Sequence, residues 1–361
     1  MSVSVHNPVP SSCMNANSTQ CGGLFEFSPA TECRGNVLRE ITEFLDGQDT
    51  SHPFQFPQWG DERASYALYR TGRKLRWFAH CGISFPASRV LRPIRALVVN
   101  RGPVSDDIHA QEVGLARLIE IGKQKGCAYV DIVPDWTGNL KASAEVLLQQ
   151  NQWKMYGPVR TSLRLDLSAS ADELLANFRK VARYEIHRCE RLNIEVGAAQ
   201  DEVDCQNWLR LHKKMAEAKR FTAEDGAHMM RILRWLLNEP SRGRLLLARN
   251  KGILVGGVVI VRAAARCWYL YGATSKEERF SAGHLLQWRA IQWAKKHGCR
   301  EYDFGGYTEG ATSGPAFFKR GFCDQVISFL PASRYVISPN RLRTSEIVAR
   351  LRRKLTSSPR A

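Results

Sequence analysis

Apolar residues along the chain change their spacing in a repeating order. The run VLREITEFL, beginning at Val37, returns an apolar side chain every three to four positions and predicts a first helix. After the aromatic phrase PFQFPQW, the segments YALYR and LRWFAH read as strands and RALVVNRGP continues the sheet. Between His109 and Lys125, Val113, Leu115, Leu118, Ile119 and Gly122 recur at helical spacing, and Gly126 supplies a typical helix stop.

The second half repeats this plan. LLLAR and ILVGGVVIVRA, joined by Asn250-Lys251-Gly252, predict a hairpin; CWYLYGA follows as a strand, HLLQWRAIQWAKKHG as a helix and EYDFGG as a strand with a turn. Gly126-Cys127 falls on Gly298-Cys299, Lys123 on Lys295 and Asp131 on Asp303, all at a spacing of 172 residues. Each copy is then followed by a long strand, RTSLRLDL in the first and DQVISFLPASRYVIS in the second. Strand, helix, Gly-Cys stop and Asp-bearing strand recurring in one order imply two domains of one design. The expected division is a disordered leader over 1–36, rich in Ser, Asn, Pro and Gly, domains over 37–165 and 166–340, and a basic tail over 341–361.

Charge adds a partner class. The 361 residues carry 52 Lys and Arg against 35 Asp and Glu, a formal +17, which suits nucleic acid, anionic lipid or phosphorylated substrates as well as a simply solvated basic surface. Ten cysteines without a C-x-x-C pair or clustered Cys/His spacing read as reduced thiols in a cytoplasmic protein, with no metal expected. No stretch approaches the ~18 apolar residues of a membrane span. A G-x-S-x-G elbow, a Walker loop and H-E-x-x-H are all missing, which removes the hydrolase, P-loop and zincin classes from the motif evidence.

The unit of hairpin, strand, helix, strand, short helix and long strand resembles the GNAT acyltransferase fold. With QFPQW, RGPVSD, LLQWRAIQWAKKHGCREYDFGGYTEG and FFKRGF in order over roughly residues 37 to 340, the chain resembles the FemA/FemB/FemX (FemABX) family of peptidoglycan-bridge aminoacyltransferases. The resemblance implies an α/β (α+β) protein of two tandem GNAT-like acyl-CoA N-acyltransferase-type domains with mixed sheets. It implies aminoacyl-tRNA as co-substrate, no cofactor, and an amine of a peptidoglycan or related envelope precursor as acceptor. No heptad-bearing arm interrupts the second domain, so the chain would be a short form of the family. The alternative is an acyl-CoA-dependent N-acyltransferase acting on an amino sugar or polysaccharide precursor. CoA users cradle the pyrophosphate on a glycine-rich loop at a helix start; here that region reads RFSAGH, with Gly283 alone, and its first-domain counterpart PVSDDIHAQ has no glycine.

Transfer to an amine needs a neutral nucleophile and a stabilised oxyanion. By the resemblance, Asp106 orients the acceptor amine or acts as base, Lys319 neutralises the oxyanion or a terminal phosphate, and Phe318 packs on the terminal adenosine. As a plain helix cap, Asp106 has a structural explanation too. Arg63 and Arg220 fall near the family's diphosphate contacts. The strand end at Tyr271 and the turn at Asp303, Gly305, Gly306 and Tyr307 are expected to contact substrate, although the repeat of Asp131 at Asp303 favours a structural role for that carboxylate. Arg179, Arg183, His187 and Arg191, four apart, form a cationic helix stripe suited either to a phosphate track or to solvent. The segment RLRTSEIVARLRRKL reads as a basic amphipathic helix for tRNA or peripheral contact with the inner membrane surface, or as a solvated tail.

Overall fold

The computed structural model describes residues 23–85, 94–275, 280–308, 310 and 314–356. The first unit contains β1 (Gly23–Pro29), α1 (Asn36–Asp46), two short 3-10 turns across PFQFPQW, β2 (Ser65–Thr71), β3 (Lys74–Ser84), β4 (Arg95–Asn100), β5 (Val104–Ser105), α2 (Ile108–Gln124), β6 (Cys127–Val133), α3 (Gly138–Gln150) and β7 (Lys154–Tyr156). After β8 (Thr161–Asp166) and the helices α4 (Ala171–Asn177) and α5 (Lys180–Arg191), the second unit repeats the order. It runs through β9 (Glu195–Ala198), α6 (Glu202–Lys219), α7 (Gly226–Asn238), β10 (Gly243–Asn250), β11 (Ile253–Ala263), β12 (Arg266–Thr274), α8 (Ala282–Lys296), β13 (Glu301–Tyr307), α9 (Gly314–Lys319) and β14 (Val326–Ser328). The chain ends with β15 (Ala332–Val336) and α10 (Pro339–Thr356).

Strand order shows that the two units exchange a strand. One sheet is ordered β1-β2-β3-β4-β6-β15-β7 and the other β14-β8-β13-β12-β11-β10-β9. The strand following the first unit therefore completes the second sheet, and the strand following the second unit completes the first. The expected boundary at 165/166 falls inside β8, which pairs with β13 and β14 of the second sheet. The expected leader is corrected: Gly23–Pro29 pairs antiparallel with β2 across seven residues, its backbone groups satisfied by the sheet edge. Residues 1–22 lie outside the described residues.

Each exchanged strand carries an arginine to the repeated aspartate. Arg334 stands opposite Asp131 and binds it through Nε (2.7 Å) and Nη2 (2.8 Å). Arg164 stands opposite Asp303 and reaches it through Nε at 3.3 Å. The Arg334 guanidinium also lies between Tyr129 and Tyr156, 3.9 and 4.7 Å from the ring centres. Arg334→Ala would leave Asp131, whose side chain is 10% exposed, with Tyr156 alone, and is expected to cost about 2–3 kcal/mol. A lowered urea midpoint at unchanged m-value, with loss of amide protection in β15, would bear this out; wild-type stability would not.

An apolar core joins the units. Phe56, Trp59 and Leu45 of the first pack in one cluster with Trp208, Trp235 and Trp268 of the second. Fully burying side chains of this size contributes about 1.5–3 kcal/mol each. Arg242, which donates to Asp46 at 2.8 Å, closes one rim of this joint.

Candidate active site

In each unit the central parallel strand pair decides whether a cleft opens. In the first, β4 and β6 stay paired from Arg95 and Cys127 to Asn100 and Val133, leaving no gap at their ends. In the second, β12 and β13 pair only from Arg266 and Glu301 to Trp268 and Asp303, although both strands continue. A register shift inserts Leu270 into β12, and another lies between Asp303 and Gly306 in β13. Gly305 has φ 71°, a backbone geometry that favours glycine. Such bulges bend strands away from one another and re-aim side chains. The strands separate into a wedge with Tyr269 and Tyr271 on one wall and Gly305, Gly306 and Tyr307 on the other.

The wedge opens into a cavity of about 680 Å³ that His52, Phe54 and Arg101 of the first unit help to line. A second lobe of about 670 Å³ shares Phe54, Glu224 and Tyr271 with it and reaches Trp59, Arg63 and His80. Tyr271 stands at the waist between the lobes. Burial pushes its phenol upward, and its hydrogen bond to Glu224 adds to the shift.

Lys319, the last residue of α9, lines neither lobe itself but donates to the carbonyl of the wedge residue Gly306 at 2.7 Å, with its ammonium 6.0 Å from the Tyr269 ring centre. Burial pulls this lysine down to about 8, with Asp303 resisting the shift. Tyr269 is pushed up to about 12 by burial and stays a neutral phenol. Asp303 itself is fully buried: it accepts from Ser162, from the Gly305 amide (2.8 Å) and from Arg164, so it holds the turn rather than facing the cavity.

Several expected residues lie elsewhere. Asp106 lines neither lobe; its carboxylate pairs with Arg76 at 2.6 Å and Lys74 at 3.7 Å beside the start of α2, which Asp107 caps. Phe318 packs against His284 and Phe322 in the second core, whereas its neighbour Phe317 is 61% exposed. Arg183 donates to the Ala176 and Phe178 carbonyls at the end of α4, Arg179 pairs with Asp324 and His187 with Glu190, so the stripe on α5 is largely tied down locally. Arg220 caps α6 in an exposed left-handed conformation, away from both lobes. Arg63 does line the second lobe, held by Asp61 through Nε (3.1 Å) and Nη2 (2.6 Å).

Sequence reasoning missed the wedge floor. Arg101 and Arg160 both bind the buried Asp135 there, a grouping with no local signature because its members come from three separate loops and strand ends.

Two sheets of one design, the second with splayed central strands, define a tandem GNAT-like fold. Residues 176–320 match the acetyltransferase (GNAT) domain family. A crystal structure of FemX superposes with a TM-score of 0.74 at 17% identity, covering 88% of this chain and 99% of that one. The structure of L-PGS from Bacillus licheniformis superposes with a TM-score of 0.60 at 13% identity, covering 90% and 97%. Among curated proteins, the lipid II:glycine glycyltransferase of Staphylococcus haemolyticus is 38% identical over 63 residues, 17% of this chain and 15% of that protein. The Staphylococcus aureus enzyme of the same name is 40% identical over 57 residues, 16% of this chain and 14% of that protein. The second unit thus matches a GNAT domain, and the whole chain shares the fold of the FemX structure.

Proposed function

We propose that this protein is an aminoacyltransferase that moves an amino acid from aminoacyl-tRNA to an amine of a peptidoglycan or related envelope precursor, in the wedge between β12 and β13. The observation that carries the donor assignment is at the start of α8. There the Ser281 amide donates to the Glu185 carboxylate at 2.8 Å, so a negative charge occupies the helix start on which a CoA pyrophosphate would need to rest. The first unit is arranged alike, with Asp107 accepting from the Ala110 amide at the start of α2. Like charges at both helix starts count against acyl-CoA. The name of the lipid II:glycine glycyltransferase relatives supports the acceptor class.

The acceptor amine attacks the ester carbonyl, forming the C–N bond and an oxyanion and giving up one N–H proton to solvent; the C–O bond then breaks and the ribose oxygen leaves with a proton from Lys319, which solvent restores. Lys319, mostly protonated at neutral pH and easily deprotonated for a lysine, serves as cation to the oxyanion and as proton donor to the leaving oxygen. The exposed Phe317 ring offers the terminal adenosine a stacking face, taking the role first expected of Phe318. Phe317→Ser is therefore expected to raise KM for aminoacyl-tRNA about 5- to 50-fold with little change in melting temperature. Phe318→Ser should instead lower the melting temperature. Equal kinetic effects of the two would count against this assignment.

The direct test offers purified protein a mixture of labelled aminoacyl-tRNAs and, in parallel, labelled acyl-CoAs, with UDP-MurNAc-pentapeptide and total envelope precursors as acceptors. Transfer from tRNA alone is expected. Transfer from CoA alone would overturn the donor and restore the amino sugar or polysaccharide alternative. Peripheral contact of the protein with the inner membrane surface belongs to the same proposal and is read by vesicle co-sedimentation.

A further inference from the structure

Asp135 lies beneath the wedge with its side chain 1% exposed, yet it is ringed by cationic groups. Arg101 Nη1 donates to it at 3.0 Å and Arg160 Nη1 at 2.9 Å, while His52 Nε2 stands 3.9 Å away. Burial alone would raise the carboxyl, but the guanidiniums of Arg101 and Arg160 outweigh it and hold it down to about 2. Burial drives His52 well below its ordinary value, with Arg101 adding to the shift, so the imidazole is neutral. Two guanidiniums thus share one carboxylate. One positive charge is left uncompensated within the cluster, and both arginine side chains, each 24% exposed, line the cavity.

Their free donors define what fits. Arg160 spends Nη1 on Asp135 and Nη2 on the Pro134 carbonyl, and rests 5.2 Å above the Phe329 ring centre. Arg101 spends only Nη1; among the described residues, Nε and Nη2 on its other edge have no partner. That edge is the planar fork that binds a carboxylate or phosphate through two parallel hydrogen bonds. Arg101 also has φ 59°, a left-handed backbone that L-residues disfavour, in the turn that brings it from β4 to the wedge. Phe54 lies 6.0 Å from its guanidinium, shielding one side from water. A net cation with an unused fork beside apolar walls is a built oxyanion receptor.

We propose that Arg101 and Arg160, clamped by Asp135, bind an oxyanion of the acceptor, a carboxylate or a phosphate, and thereby direct its amine toward the wedge wall at Gly306, whose carbonyl Lys319 holds. The assignment rests on the acceptor being an anionic envelope precursor. Asp135 acts as a positioning residue, fixing the two guanidiniums without itself lining the cavity.

The test is calorimetric titration of wild type, Arg101→Gln and Arg101→Lys with three probes: UDP-MurNAc-pentapeptide, inorganic pyrophosphate and the free stem pentapeptide. Arg101→Gln keeps the Arg160–Asp135 pair and is expected to weaken UDP-MurNAc-pentapeptide about tenfold or more. One fragment should weaken with it: pyrophosphate if the oxyanion is a phosphate, the pentapeptide if it is a carboxylate. Arg101→Lys, which keeps the charge and loses the fork, should fall between and carries the comparison if the Gln variant does not fold. Unchanged affinities in both variants, or no binding of any probe to wild type, would overturn the proposal. Arg101-dependent binding without transfer from any aminoacyl-tRNA would uphold the subsite and sink the aminoacyltransferase reading.

Discussion

Lys319→Ala is expected to lower kcat by about 10²- to 10³-fold, the scale for losing one preorganised donor to an oxyanion. The loss should leave folding intact. A lysine lowered from its ordinary 10.5 to about 8 binds its proton more weakly in the native state than in the unfolded chain. Its charged form therefore opposes folding at neutral pH, so its removal should not lower the melting temperature. Lys319→Arg separates the roles further. In wild type, the rate should rise with pH as the acceptor amine, with an ordinary value near ~10.4, loses its proton. Above about 8, Lys319 becomes neutral and that rise should level off. The arginine variant stays charged throughout, so its weaker activity should keep rising past pH 8. Identical profiles would remove Lys319 from the chemical step.

Asp303→Ala is expected to cost about 3–5 kcal/mol, because it leaves the buried Arg164 with only the longer Glu301 contact at 3.6 Å and releases the Gly305 turn. The side chains of Asp303 and Arg164 are 0% and 5% exposed, so water cannot replace the lost partner without opening the β8–β13 pairing. Asp303→Asn preserves shape and some of the hydrogen bonds and should cost less. Urea denaturation of both would check the order. Hydrogen exchange should report loss of protection in β8 before β10 and β11. A stable Asp303→Ala with lost activity would instead make this aspartate a direct participant in the chemistry.

Much of the fold was legible because its evidence is local. Helical spacing marked α2 and α8, alternation marked β2 and β3, and glycines marked the helix ends. The spacing that laid Asp131 on Asp303 pointed correctly to one architectural role, since each receives an arginine from the strand beside it. Lys319 was singled out through its motif. Where its neighbour Phe318 packs was not legible, because adjacent residues on a short helix face different ways and only packing against His284 and Phe322 selects between them. Asp106 was read through an RGPVSD phrase that the fold carries to Arg76 instead of the cavity.

The sequence by itself determined that the chain has two units of one design, which segments form helices or strands, and that Asp131 and Asp303 hold matching places in them. Periodicity and turn chemistry act over a few residues, so they can be read in order along the chain. The tertiary structure decided that β8 and β15 change sheets, that only the second unit opens a wedge, and that Arg101, Asp135 and Arg160 meet on its floor. Those outcomes depend on pairings such as Arg164 with Asp303 and Arg334 with Asp131, 139 and 203 residues apart. A strand's pattern fixes which face it buries; its partner is set only when competing sheets close and the charges between them must be satisfied.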